Sequence, residues 1–140
     1  MESFSIRTFQ ADDESAVIKL WQSAFPDDPP WNAPALVIQR KLKTRPELFL
    51  VGELAGDLVA TVLAGYDGVR GWIYHLAVAH DYQRKGFGRA MMQEAEKRLR
   101  DMGCPKINLQ VRGNNAEVIE FYKRMGYQIE DRVSFGKRLE

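Results

Sequence analysis

The spacing of apolar residues in the first third of the chain predicts one strand and two helices. Residues 3–9 alternate loosely between apolar and polar side chains, which indicates a first strand. Apolar residues then recur at helical spacing from Val17 to Ala24, with Asp12 or Asp13 as a capping residue. Closely spaced prolines end this helix and leave an irregular segment, Phe25–Pro34, before a short second helix over 35–43.

A run of three strands follows, each separated from the next by a glycine-containing turn. The strands are predicted at Leu48–Leu54, Leu58–Tyr66 and Trp72–Val78, with turns at 55–57 and 67–71. Connections this short join antiparallel neighbours, so these strands should form a meander.

The third of these strands leads into a basic, glycine-punctuated turn, Gln83–Gly88, and then into a strongly amphipathic helix over 88–102. A further alternating segment, Lys106–Val111, predicts a fifth strand. Because a strand, a helix and a strand in this order form a crossover unit, the strands at 72–78 and 106–111 should be parallel neighbours.

The chain is predicted to end in a helix over 114–125 and a closing hairpin of two strands, Tyr127–Ile129 and Val133–Lys137. The expected fold class is therefore α/β (α+β). It consists of a mixed, mostly antiparallel sheet of six to seven strands flanked by four helices. At 140 residues, one domain over 1–140 is expected.

Charge and composition narrow the functional classes. Lys and Arg total 20 against 19 for Asp and Glu, a net charge of +1, which argues against a general nucleic-acid-binding surface. The single cysteine, Cys104, fits a reducing compartment. No signal peptide and no apolar run of membrane-spanning length is evident, so a cytoplasmic protein without membrane association is expected.

The turn before the third helix predicts an anion site. A strand that passes through a glycine turn into a helix presents backbone N–H groups and the positive end of the helix dipole. Gly86 and Gly88 allow close approach of a ligand to the backbone, and Arg84, Lys85 and Arg89 add positive charge. A phosphate group is the natural ligand.

Two motifs in this arrangement resemble those of the GNAT superfamily of acyl-CoA-dependent N-acetyltransferases. The first, Q/R-x-x-G-x-G/A, is present as Gln83, Gly86 and Gly88. The second, N-x-x-A-x-x-F/L-Y-x-x-x-G-F/Y, is present as Asn115, Phe121, Tyr122, Gly126 and Tyr127, with Val118 in place of the commoner alanine. The similarity covers essentially the whole chain, and local segments resemble the small bacterial YpeA-type branch.

The resemblance implies a three-layer fold whose central strands splay apart to admit the pantetheine arm of acetyl-CoA as cosubstrate. The implied cofactor-binding residues are Leu76, Ala77, Val78, Gln83, Arg84, Lys85, Gly86, Phe87, Gly88, Arg89, Asn115 and Tyr122. A cap of the last long helix is an equally good interpretation of Asn115. No cluster of residues has metal-ligand spacing, so no metal is expected. A homodimer through the C-terminal strands is one possible assembly.

The same resemblance gives Tyr122 the task of protonating the departing thiolate. The alternative is a core tyrosine packed beside Phe121. The strand at 72–78 has no carboxylate to act as a base, which leaves His75 as the candidate, with a purely structural histidine as its alternative. With no suitable nucleophile evident, direct attack by the amine is expected.

Acceptor contacts are implied in the irregular segment, the second helix and the turn at 66–71, with Trp31, Asn32, Tyr66 and Asp67 as candidates. Freeing a lysine amine of its proton at pH 7 costs about 4.6 kcal/mol, whereas an α-amine costs about 1 kcal/mol. A site without a strong base therefore favours an amine of low pKa. The rival functions are a non-catalytic acyl-CoA sensor and a nucleotide-binding module; the motifs typical of ATP- and NAD-binding loops are missing, which counts against the second.

Overall fold

Five strands and four α-helices form within residues 3–140, the part of the chain that the computed structural model describes. The strands are β1 (Phe4–Thr8), β2 (Phe49–Leu54), β3 (Asp57–Tyr66), β4 (Gly71–Val78) and β5 (Ile107–Leu109), and the helices are α1 (Glu14–Ala24), α2 (Pro34–Lys41), α3 (Phe87–Asp101) and α4 (Ala116–Arg124). The contacts divide the chain into two compact units, one ending at Gln110 and one comprising residues 111–140. The prediction of a single domain stays a prediction.

The sheet, which belongs to the first unit, has the order β1-β2-β3-β4-β5. Its first three pairings are antiparallel and the last, between β4 and β5, is parallel. The predicted meander and the predicted parallel pair are thus both confirmed. Helix α3 forms the crossover between the two parallel strands.

Both faces of the sheet are covered, because α1 and α2 pack on one face and α3 on the other. A single cluster joins the first two helices to the sheet; it contains Phe9, Val17, Leu20, Trp21, Ile38, Phe49, Val51, Leu63 and Ala77. On the opposite face α3 buries Met91, Met92, Ala95 and Leu99. Strands buried on both faces need apolar side chains at nearly every position, which explains the largely apolar sequences of β2 and β3, where Thr61 of β3 is the buried polar residue.

A β-bulge changes the direction of the side chains halfway along β4. The pairing steps from Leu63–Tyr74 to Thr61–Ala77, so that three residues of β4 advance against two of β3, and His75 has φ 51°. Before the bulge, a Cβ on Gly71 would lie 3.2 Å from Leu99 of α3. After it, the His75 ring lies against α1, with its centroid 4.5 Å from that of Trp21. Regular alternation would have put both odd-numbered positions on one face.

The second unit is built around α4. The Asn115 side chain accepts a hydrogen bond from the Val118 N–H (3.3 Å) and so caps the helix. The ring of Tyr122 packs edge-on against Phe121 and Tyr127, at centroid distances of 5.0 and 5.6 Å.

The expectation of six to seven strands was wrong, because the described residues after α4 form no strand. The apolar side chains that suggested the hairpin are largely exposed, at 73% for Ile129, 80% for Val133 and 93% for Phe135. Alternation marks a segment that can be a strand, but the strand forms only when a neighbour pairs with its peptide groups. No such neighbour accompanies 127–140 among residues 3–140.

Candidate active site

Strand β4 extends beyond β5, so that half of its outer edge has no strand beside it in the part of the chain that the structure describes. The two strands pair only over Gly71–Ile73 and Ile107–Leu109. Within residues 3–140 no strand lies beside the remaining part of β4, residues 74–78, on that edge. Because β5 is the last strand of the sheet, the β4–β5 pair lies at one edge of the sheet rather than at its centre, and the predicted splaying of the two strands stays a prediction.

The predicted pantetheine-binding residues Leu76, Ala77 and Val78 fall in this open half. The N–H of Ala79 donates to the Val59 carbonyl (2.8 Å), towards β3. Successive peptide groups alternate in direction, so the N–H groups of Leu76 and Val78 point to the open edge. An extended ligand with amide groups can pair with them as an added strand would.

The predicted anion site, the turn Gln83–Gly88, comes shortly after β4 in the chain. The side-chain amide of Gln83 donates to the Val78 carbonyl (3.0 Å), which ties the turn to the end of the strand. Arg84 and Gly86 both have positive φ, at 63° and 86°, and α3 begins at Phe87. A non-glycine residue held at positive φ is strained, and such strain is common at binding sites.

The start of α3 suits a phosphate group. Its first hydrogen bond within the helix runs from the Ala90 N–H to the Gly86 carbonyl (3.0 Å), so the N–H groups of residues 87–89 precede the helical ladder. Gly86 at the N-cap has no side chain that could accept from them, and a Cβ there would meet nothing within 4 Å. The backbone is therefore accessible to an anion from outside.

Two residues of this turn, Lys85 and Phe87, also have side-chain contacts within the protein. The Phe87 ring stacks on Phe4 at a centroid distance of 4.4 Å, which anchors the helix start to β1. The Lys85 ammonium lies 5.9 Å from the centre of the Tyr82 ring. For Phe87, therefore, the backbone rather than the side chain is the part that can contact a cofactor.

A cleft of about 400 Å³ lies on the α1 side of the sheet. Its apolar lining comprises Trp21, Phe25, Ala33 and four prolines, and its polar lining comprises Gln22, Asp28, Asn32 and His75. Four prolines in so short a segment restrict its backbone conformations, which keeps the cleft open at little entropic cost. The irregular segment predicted from sequence is thus the wall of a cavity.

His75 projects into this cleft because of the bulge. Its ring packs on Trp21 and edge-on against Phe25, at 5.2 Å from the latter. The Nε2 atom lies 3.9 Å from Oδ2 of Asp28, which is an ion-pair distance rather than a hydrogen bond. Burial lowers the pKa of His75, while the Asp28 carboxylate opposes that change. The imidazole is accordingly neutral near pH 7 and able to accept a proton.

A buried hydrogen-bond chain holds the bulge in place. The Trp21 indole N–H donates to the Thr61 hydroxyl oxygen (2.8 Å), and that hydroxyl donates to the His75 carbonyl (3.0 Å). Thr61 is completely buried. Because the bulge removes His75 from the regular ladder, this side chain supplies the partner that its carbonyl needs.

Comparison with known proteins agrees with this geometry. The family described as "Acetyltransferase (GNAT) family" matches residues 14–127. An acetyltransferase of Yersinia pestis is 46% identical over 136 residues, which is 96% of this chain and 94% of the relative. The chain belongs to the GNAT acetyltransferase family.

Solved structures of GNAT-like fold superpose over nearly the whole chain. Ard1 from Thermoplasma volcanium has a TM-score of 0.82 at 28% identity, with 91% of this chain and 84% of that one covered. The PaiA N-acetyltransferase of Thermoplasma acidophilum, solved in complex with coenzyme A, has a TM-score of 0.80 at 19% identity, covering 94% and 93%. The similarity to a YpeA-type branch stays a prediction.

The predicted acceptor residues of this GNAT chain divide into two groups. Asn32 lines the cleft, and Trp31 next to it is 45% exposed, its carbonyl accepting from Arg40 (3.2 Å). Tyr66 and Asp67 do not line the cleft. Asp67 accepts hydrogen bonds from the N–H groups of the two residues at 69 and 70 (both 2.8 Å), which hold its pKa below the usual value and close the turn after β3.

Two GNAT motif residues, Tyr122 and Asn115, belong to the second unit. The structure places them as a buried tyrosine and a helix cap, the structural interpretations considered for them from the sequence. Asn115 caps α4, and Tyr122 is 8% exposed. Burial raises the pKa of Tyr122 to about 12, so its hydroxyl stays protonated across the physiological range.

Asp28 is the site residue that sequence reasoning missed. It lies 47 positions from His75 along the chain, and no motif links the two. The available signal was the proline-rich segment itself, in which Trp31 and Asn32 were selected instead. No cluster of three or more metal-binding side chains occurs within residues 3–140. None of the helices described is both long and apolar enough to traverse a bilayer.

Proposed function

We propose that this protein transfers the acetyl group of acetyl-CoA to a primary amine by direct attack within a ternary complex. The observation that carries the proposal is the continuous path from the open half of β4, through the turn tied by Gln83, to the start of α3. One strand, turn and helix thus offer strand-like pairing to pantetheine and backbone N–H groups to a pyrophosphate.

The residues present fit acetyl-CoA as cosubstrate. The N–H groups of Leu76 and Val78 face the open edge, where a peptide-like arm can pair with them. A backbone N–H in the same stretch can donate to the thioester carbonyl oxygen as negative charge develops on it. Arg84, Lys85 and Arg89 lie around the start of α3 and suit the charge of the pyrophosphate. The coenzyme A complex of the PaiA enzyme, which shares the fold, supports this choice.

The proposed reaction requires two proton movements. The bound ammonium gives one proton to His75, which passes it to solvent. The neutral amine nitrogen then bonds to the thioester carbon, and the carbon–sulfur bond breaks. The Tyr122 hydroxyl gives a proton to the departing thiolate, and the second proton of the nitrogen replaces it on the Tyr122 oxygen. The products are an amide, the free thiol of coenzyme A and one released proton.

The raised pKa of Tyr122 bears on its role as the acid. With a phenol pKa of about 12 and a thiol pKa of about 8.5, the proton transfer is unfavourable by about 5 kcal/mol. That remains well below the barrier of roughly 13–17 kcal/mol for ordinary enzymatic turnover. We expect Tyr122→Phe to lower kcat at saturating acetyl-CoA at least tenfold; unchanged turnover would remove Tyr122 from the mechanism.

A low-pKa amine, such as an α-amine or a small-molecule amine, fits the histidine base best. A neutral imidazole is a weak base for a lysine ammonium, whose deprotonation at pH 7 costs about 4.6 kcal/mol. A preference for lysine side chains in a panel of peptides, polyamines, amino acid derivatives and aminoglycosides would contradict this choice.

The decisive experiment is a thiol-release assay with acetyl-CoA across that panel, performed on the wild type and on a matched pair of glycine variants. Gly86 and Gly56 have φ of 86° and 84°, and a Cβ at either would meet nothing within 4 Å. Alanine at either position therefore introduces the same backbone strain, about 1 kcal/mol.

We expect only Gly86→Ala to raise the KM for acetyl-CoA, by about tenfold. Gly56→Ala, in the turn between β2 and β3, should leave it unchanged. Binding of acetyl-CoA without thiol release for any amine would reject transfer in favour of a sensor. Equal KM values for the two variants would reject the turn as the pyrophosphate site.

A further inference from the structure

The buried side chain of Trp21 acts on His75 at two separate points. Its indole N–H donates to the hydroxyl oxygen of Thr61, which in turn donates to the His75 carbonyl and so fixes the backbone. Its ring packs on the imidazole itself, with the centroids 4.5 Å apart and the planes at 48°. The ring contact acts on the side-chain torsions of His75, which the backbone alone leaves free to choose among several rotamers.

We infer that Trp21 is the positioning residue for His75: its ring holds the imidazole in the orientation that directs Nε2 towards the cleft. This inference rests on the proposed acetyl transfer, in which His75 takes a proton from the acceptor amine, and it adds the residue that aims this base. In this role Trp21 acts through His75 rather than on the substrate.

Trp21 is a fixed surface because the core holds it in turn. The indole is buried and stacks on Phe49, at a centroid distance of 5.9 Å and an interplanar angle of 10°. Phe49, completely buried, stacks on Phe9 at 4.3 Å and 13°. Side chains in a close-packed interior have few other conformations open to them, so the position of the indole is set by the core of the first unit.

His75 depends on such a support because little else restrains its ring. The residue lies at the bulge with φ 51°, and its side chain is 16% exposed where it borders the cleft. Phe25, at the end of α1, contacts the ring edge-on at 5.2 Å and 78°. A general base must lie within hydrogen-bond reach of the proton that it takes, and a displacement of about 1 Å can cost about 100-fold in rate.

The test uses two substitutions of Trp21 and one control. Trp21→Leu removes the ring contact, whereas Trp21→Phe keeps an aromatic ring against His75. The control is Leu99→Ala, which removes a completely buried side chain from the opposite face of the sheet. The thiol-release assay gives kcat at saturating acceptor and the KM for acetyl-CoA, with kcat expressed per folded molecule.

We expect Trp21→Leu to lower kcat about 100-fold and to leave the KM for acetyl-CoA unchanged, since the cosubstrate is assigned to the edge of β4 and the turn after it. Trp21→Phe should recover at least about tenfold of that loss, and Leu99→Ala should leave kcat unchanged. Equal kcat values for Trp21→Leu and Leu99→Ala overturn the inference, as does a Trp21→Phe protein no more active than Trp21→Leu.

If Trp21→Leu does not fold, Phe49→Leu takes its place. This milder change removes the ring on which the indole stacks and should lower kcat about tenfold, again with an unchanged KM for acetyl-CoA. An unchanged kcat in Phe49→Leu then overturns the inference.

A double substitution separates positioning from a merely structural role. Once His75→Gln has removed the imidazole, Trp21 has no base left to position. Trp21→Leu, or Phe49→Leu in its place, should therefore cause no further loss of kcat in the His75→Gln protein. The same fold-loss in both backgrounds is the result of a structural role and overturns the inference.

If the wild type releases no thiol with any amine, the proposed function fails on its own, and NMR decides the inference. Nuclear Overhauser contacts between the rings of His75 and Phe25 report the orientation of the imidazole. They should be present in the wild type and in Trp21→Phe and be lost in Trp21→Leu, where the imidazole can rotate. Contacts that persist in Trp21→Leu, or that are missing from the wild type, overturn the inference.

Discussion

The two halves of β4 have the same neighbour on one side and different surroundings on the other. Residues 71–73 lie between β3 and β5, and Gly71 faces α3. Among the described residues, β3 is the one strand beside 74–78, and the bulge at His75 turns its ring towards α1. Peptide groups paired on both sides stabilise the fold, whereas an open edge and a residue at positive φ are available for ligand binding and chemistry.

The largest effect should come from His75 in the second half. We expect His75→Gln to lower kcat by about 10²- to 10⁴-fold, the range of a lost general base. The control in the first half is Ile73→Val, which removes one buried methylene. It should lower the free energy of unfolding by about 1 kcal/mol and leave kcat unchanged. Equal kcat values for the two variants would contradict a catalytic role that is confined to the second half of β4.

The pH dependence should identify the same group. Burial places the pKa of His75 below the ordinary histidine value of about 6.5. We therefore expect kcat at saturating acceptor to stay constant from neutral pH down to about pH 6.5 and to fall at lower pH, where His75 becomes protonated. His75→Gln should lose this acidic limb. The stability contribution has the same sign, since a lowered pKa means that the folded state loses stability as the pH falls through it. A limb that persists in the variant would assign the titration to another group.

A smaller effect is expected from the side chain that holds the bulge. Thr61→Val keeps the shape of the side chain but removes its hydroxyl, which leaves the Trp21 indole N–H and the His75 carbonyl without this partner. We expect a loss of about 2–4 kcal/mol in the free energy of unfolding, measured by chemical denaturation, together with a reduced kcat. Thr44→Val, at an exposed position, should change stability by less than about 0.5 kcal/mol. A fully active Thr61→Val would show that the bulge persists without the hydroxyl.

The smallest effect should come from Gly71, in the first half of β4. A Cβ on Gly71 would lie 2.9 Å from Cys104 Sγ and 3.3 Å from Ile107. Gly71→Ala should therefore cost about 1–2 kcal/mol of stability by overpacking, with the KM for acetyl-CoA and the kcat of the folded fraction unchanged. A specific loss of cofactor binding here would extend the functional region into the paired half.

Much of this arrangement could be predicted from local patterns. Helical spacing located α1 and α3, and alternation and glycine turns located β2 to β4. The glycine turn at 83–88 was located as the segment before α3, and its role as an anion site stays a prediction. These features depend on residues close together in sequence, because capping, turn conformation and amphipathic spacing act over a few positions. The family motifs predicted the GNAT family, which the comparisons confirmed.

The prediction of two C-terminal strands was wrong because strand formation depends on residues that are far apart in the sequence. Val133 and Phe135 alternate with polar residues as strand residues do, yet they are exposed and in no strand. Pairing depends on a distant partner, and local alternation carries no information about one. The choice of acceptor-binding candidates was limited in the same way. Asp67, which was selected, accepts hydrogen bonds within its own turn, whereas Asp28, which was not selected, lines the cleft.

The sequence by itself determined the order of the elements, the glycine turn and the absence of a carboxylate from β4. Only the tertiary structure decided that β4 extends beyond β5, that a bulge turns His75 to the α1 side, and that Asp28 lies 3.9 Å from it. Local spacing fixes which segment becomes a helix or a strand. Strand register and the meeting of residues 47 positions apart depend instead on how the elements pack together.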